Sequence, residues 1–161
     1  MLKIIGICIL IFTICYISKT LSDKRRRALS VYEELSRFLH FVKRSIGCYL
    51  MPLRDIAVGF DSELLDSYGF LALIRDGACG IDALEKSGLC GVLDAESSRL
   101  LSTFFSSFGS GYLDEELRLV SSVLEELDEK VAFERRRTPE RVRLFGTLGA
   151  AASLALLILI L

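Results

Sequence analysis

Tryptophan is absent from this chain, and histidine occurs once, at position 40. One histidine excludes a histidine-pair metal site and leaves His40 as the only imidazole base for a nucleophile. His40 lies between Leu39 and Phe41 in an ordinary helical pattern. The five cysteines (Cys8, Cys15, Cys48, Cys79 and Cys90) are odd in number and scattered. They make no CxxC pair, disulfide framework or zinc spacing. No GxxxxGK[ST] phosphate loop is present, and "GSG" at 109–111 follows no strand, so it reads as a turn. No alternating β-type segment, internal repeat or low-complexity tract occurs. The net charge of −1 removes any bulk attraction to polyanions. These absences predict a protein that is not an enzyme and that needs no cofactor or metal.

What is present is segregated. The 161 residues combine 52% hydrophobic with 25% charged content. Residues 2–17 are apolar except for Lys3 and a few small polar groups, and residues 144–161 carry no charge. As a helix the first run extends about 24–27 Å, slightly short of a hydrocarbon core of about 30 Å. The second has the length of a spanning-helix candidate. A cleaved signal peptide fits the first run less well. Its positive charge follows the apolar stretch as "KTLSDKRRR", no A-x-A site occurs, and Ile14 is too large for a lipoprotein site before Cys15. Gly146 with Ala150, and Gly149 with Ser153, give small-residue spacings. These suit a close helix–helix face or merely an apolar helix.

Both runs have basic borders on their inner sides. Lys19, Lys24, Arg25, Arg26 and Arg27 follow the first; Arg135, Arg136, Arg137, Arg141 and Arg143 precede the second. Basic residues near span ends stay on the cytoplasmic side. The expectation is a double-pass membrane protein with a cytoplasmic middle, divided into a first membrane helix at 1–19, a helical domain at 20–138 and a second membrane helix at 139–161. The basic clusters lack interleaved aromatics for base stacking, so membrane lipid headgroups, not nucleic acid, are their expected partner. In "ERRRTPERVRL", either Thr138 caps a new helix beginning at Pro139, or Pro139 kinks one long helix.

The middle reads as an all-α bundle. Val31, Leu35, Phe38, Leu39, Val42 and Ile46 follow helical spacing over 27–46, with Gly47 as the expected stop. A short helix follows from Pro52 to about Val58. Residues 62–75 read as one helix capped by Ser62, 81–88 as a short helix closed by Gly88, and 94–109 as a helix capped by Asp94. Leu113, Leu117, Val120, Leu124, Leu127 and Val131 form an a/d stripe, while the acids between 114 and 129 occupy other faces. That stripe is expected to pack antiparallel on the 27–46 helix, or alternatively on a second copy in a homo-oligomer. Arg54, Arg75 and the acids of 114–129 are candidate interface residues.

Several local segments, in order, resemble the stage III sporulation protein AB family of endospore-forming bacteria. "MLKIIGICILIF" is similar to the family's opening. "SIGCYLMPLRDIA" is similar to its I-x-Y-G-x-T-P-L-x-E-A segment through Pro52 and Leu53. "FFSSFGSGYLDEEL" is similar to its F-G-x-x-L-G-x-x-D-x-E segment through Phe108, Gly109, Asp114 and Glu116. "ERVRLFGTLGAAASLALLILIL" is similar to its closing membrane segment. The family's Tyr-Gly order before the proline is not kept, and Arg118 stands where a glutamine is expected.

The resemblance implies a helical domain like that of the F components of type II secretion inner-membrane platforms. It also implies a place in the secretion-like complex between mother cell and forespore, on the mother-cell side of the outer forespore membrane. The implied partners are a cytoplasmic secretion-type ATPase and membrane ring subunits, which the chain would couple without catalysis. The alternative is a general membrane scaffold of a secretion platform unrelated to sporulation.

Overall fold

The computed structural model describes the backbone of residues 2–49, 51–109 and 111–160, and the side chains of 13, 16, 17, 19–47, 51–109 and 111–136. Seven α-helices and one 3₁₀ turn account for its regular structure, with no strand among the described residues. They are α1 (Leu2–Tyr49), α2 (Leu53–Gly59), α3 (Glu63–Ser67), α4 (Phe70–Arg75), α5 (Gly80–Lys86), the 3₁₀ turn (Gly88–Gly91), α6 (Ala95–Ser107) and α7 (Leu113–Ile160). The chain divides into two compact units: Ala28–Ala132, and one formed by Met1–Arg27 with Phe133–Leu161.

Within Ala28–Ala132 the core follows the apolar spacing. Val31, Leu35, Phe38, Leu39, Val42 and Ile46 are all buried on α1. They meet Val120, Val123, Leu124 and Leu127 of α7 and Leu101, Phe104 and Phe105 of α6 in one cluster. Each fully buried Leu or Phe contributes about 1.5–3 kcal/mol by leaving water. Leu113 and Val131, the ends of the α7 stripe, are only partly buried. Cross-contacts fix the direction of the two long helices. The Lys130 ammonium lies 5.9 Å from the Tyr32 ring centroid, and His40 Nε2 is 3.1 Å from Asp128 Oδ2. A Cβ at Gly47 would be 3.9 Å from Leu117 Cδ2. Positions rise along α1 as they fall along α7, so within this unit the helices are antiparallel.

The smaller helices differ from expectation in instructive ways. Ser62 does cap a helix, accepting the Leu65 N–H at 3.3 Å. That helix ends at Ser67, and α4 starts only after Gly69, whose φ of +78° is left-handed. Residues 62–75 are therefore two helices, not one, because glycine takes that conformation without the Cβ penalty. Gly47 does not stop α1, which continues to Tyr49. Ser87, not Gly88, is the C-cap of α5, and Gly88 opens the 3₁₀ turn. Pro52 is the extended N-cap of α2, one residue before its first turn. Asp94 caps α6 through the Ser97 N–H at 2.9 Å.

Pro139 lies inside α7, so no separate helix begins there with Thr138 as its cap. Among the described residues no helix is long and apolar enough to cross a membrane. The expected spans at 2–17 and 144–161 rest on side chains that, except at Thr13, Tyr16 and Ile17, lie outside the described residues.

Candidate protein-binding groove

At one end of the Ala28–Ala132 unit, three connections meet: the one between α1 and α2, the turn before α5, and the turn between α6 and α7. They enclose an open groove of about 460 Å³. Ile46 of α1, Phe105 of α6 and Phe108 just after α6 supply its apolar floor and wall, with Leu113 of α7. Met51, Pro52 and Leu53 form one rim, and Met51 is 42% exposed, a large apolar side chain left in water. Tyr112, next to Leu113 in the chain, is 83% exposed.

The wall depends on a close backbone approach. A Cβ on Gly80 would lie 2.3 Å from Cδ1 of Phe105, so only glycine lets the start of α5 reach α6 here. Phe105 is in turn held by Phe70 and Phe104, with ring centroids 5.7 and 4.9 Å away. The opposite wall is tied at the turn. Gly109, at φ +87°, donates its N–H to Glu116 Oε1 at 2.9 Å. Among the described residues Glu116 is the one charged residue in the lining, and its carboxylate is already engaged there. Cys79, also in the lining, donates its thiol to Asp82 Oδ2 at 3.2 Å. A lining of this kind offers apolar contact area and a single anchored acid, which suits the seating of an apolar side chain from a partner.

Of the six positions singled out by the family resemblance, Pro52, Leu53, Phe108, Gly109 and Glu116 all line this groove. They come from two segments more than fifty residues apart in the sequence. Asp114 is exposed and is not part of the lining; its backbone carbonyl accepts Arg118 Nε at 3.3 Å. The basic border residues Lys19, Lys24, Arg25, Arg26, Arg27, Arg135 and Arg136 are exposed, while the side chains of Arg137, Arg141 and Arg143 lie outside the described residues.

Other polar groups hold the bundle together. Arg75 donates to the carbonyls of Ala57 and Phe60 at 3.0 and 2.8 Å and forks onto both oxygens of Asp66 at 2.8 and 3.0 Å. Arg54 donates to the Arg75 carbonyl at 3.0 Å. Arg75 is thus a strut joining α2, α3 and α4, which accounts for it without a partner protein. A polar hollow of about 550 Å³ between Glu34 and Ser67 is likewise spent on internal bonds. There Ser62 Oγ donates to Glu34 at 2.7 Å and Arg37 to the Asp61 carbonyl at 2.6 Å.

On the far flank, Lys130 of α7 pairs with Asp94 and reaches Glu96 at 3.4 Å, while the Asp94 N–H donates to Tyr32 Oη at 3.0 Å. Burial opposes the Asp94 charge, but hydrogen bonds from Lys130 and Ser97, with the lysine's charge, bring its pKa down to about 2. Burial likewise opposes the Lys130 charge, and the hydrogen bond and charge of Asp94 more than offset it, raising the lysine above its usual value. Ser36 and His40, one turn apart on α1, both bond Asp128 of α7.

No family model, curated protein or solved structure matches this chain.

Proposed function

We propose that this chain is a non-enzymatic membrane platform or adaptor subunit of the secretion-like complex between mother cell and forespore. It couples a cytoplasmic secretion-type ATPase to the membrane channel. The helical unit faces the cytoplasm, and the apolar runs at 2–17 and 144–161 anchor it. The observation that carries the reading is the convergence of Pro52, Leu53, Phe108, Gly109 and Glu116 on one apolar groove. Residues that the resemblance marks, and that have no catalytic chemistry, share a surface suited to a partner. The anchored part is supported by the two apolar runs and their basic borders, and both chain ends fall in one unit.

Co-purification from sporulating cells tests the proposal. The tagged wild-type chain should bring down the secretion-type ATPase and ring subunits, and Met51→Glu should lose at least one of them while keeping its helical content. Met51 is exposed, so the charge alters the groove rim and not the core. Expression confined to cells that never sporulate, or recovery of another secretion machine's subunits, would replace the sporulation role with the general scaffold.

A further inference from the structure

The unit formed by Met1–Arg27 with Phe133–Leu161 holds two basic clusters at the same end. Lys24, Arg25, Arg26 and Arg27 are the last residues of its first segment; Arg135, Arg136 and Arg137 stand just inside the start of its second. Residues 19–27 and 133–143 together hold ten basic residues against three acidic ones. The rest of the chain holds ten basic against eighteen acidic, so the near-neutral total hides a strong separation of charge.

The same collar exposes large apolar side chains. Tyr16 is 66% exposed, Ile17 51% and Phe133 53%, with Leu21 also exposed. Exposed aromatic and aliphatic groups in the same two segments as exposed basic residues match the layered chemistry of a bilayer interface, where rings enter the acyl boundary and cations meet phosphates. Nucleic acid would use the charge but leave the aliphatic groups in water.

We infer that the two clusters form one composite site for the phosphate headgroups of anionic phospholipids, and that this site selects them over zwitterionic lipids. The inference deepens the membrane-anchored reading above and rests on it. Each cation near an anionic surface strengthens binding about five-fold. A site drawing on both helices should therefore lose selectivity when either cluster is neutralised.

The full-length chain, solubilised in neutral detergent, is mixed with equal amounts of phosphatidylglycerol and phosphatidylcholine, and retained lipids are counted by native mass spectrometry. Phosphatidylglycerol should be retained at least about ten-fold over phosphatidylcholine. Neutralising Lys24, Arg25 and Arg27 to Gln, or Arg136 and Arg137 to Gln, should each cut that preference several-fold. Arg→Lys changes at the same arginines should preserve it, and circular dichroism should show unchanged helix in every variant.

Equal retention of the two lipids would overturn the site. So would a preference carried entirely by one cluster, displacement of the lipid by millimolar inorganic phosphate, or tighter binding of a DNA oligonucleotide. Alkaline extraction of membranes from expressing cells separates this from the reading beneath it. Release of the chain with lipid preference intact contradicts the spans alone; retention without preference contradicts the headgroup site alone.

Discussion

At the scale of single residues, the polar groups that matter most are those that join distant parts of the chain. The Asp94 carboxylate caps α6 and pairs with Lys130 of α7, and its backbone N–H donates to Tyr32 of α1, so three helices meet at one residue. Its folded pKa of about 2 lies below the ordinary 3.8. The stabilisation from its charge is therefore complete above about pH 4 and lost as pH falls toward 2. The side chain is 48% exposed, so solvent screening reduces the effect to about 1 kcal/mol. Acid titration of thermal stability should show this loss in the wild type, and Asp94→Asn should remove most of it. An unchanged acid limb in the variant would mean that other carboxylates govern it. The Asp94 cap was legible in the sequence, because capping is local. The link to Lys130 and the acceptors of Arg75 were not, since they join residues nine to thirty-six positions apart with no local pattern.

At the scale of elements, apolar periodicity and turn residues predicted the long helices and nearly the bounds of α2, α5 and α6, but merged α3 with α4. Val31 to Ile46 on α1 and Val120 to Leu127 on α7 repeat often enough for burial to follow from spacing alone. The break at Gly69 was hidden because glycine within a helical pattern carries the same one-letter signal whether φ is negative or positive. Gly47 shows the converse: glycine suggested a stop, yet the helix runs on past it beside Leu117. Gly80 has a third role, since it allows α5 to touch α6 at Phe105. Gly80→Ala should destabilise the bundle by about 1–3 kcal/mol, because the Phe105 ring must move within an already filled aromatic cluster. Chemical denaturation measures the change. Phe105→Leu in the same background should recover part of the loss, and its failure to do so would place the strain elsewhere.

At the scale of the whole molecule, sequence and structure contribute different parts of the functional account. The sequence supplies the charge borders, the apolar runs and the family resemblance. The structure supplies the groove, whose existence no local pattern announces, because its walls come from α1, α2, α5, α6, α7 and three connections. Met51, Phe105 and Leu113 lie within the quoted segments without being matched positions, and Ala78, Cys79 and Gly80 complete the lining from outside them; the one advance signal was a large apolar side chain placed just before Pro52. Under the proposed adaptor role, this groove is where the partner sits.

Site-specific photocrosslinking in sporulating cells tests this most directly, with a photoreactive residue at position 51 and a control at Glu125, an exposed position outside the groove lining. The account predicts a strong crosslink to the secretion-type ATPase or a ring subunit from position 51 and little or none from position 125. Equal crosslinking from both positions, or a partner captured only from position 125, would contradict it.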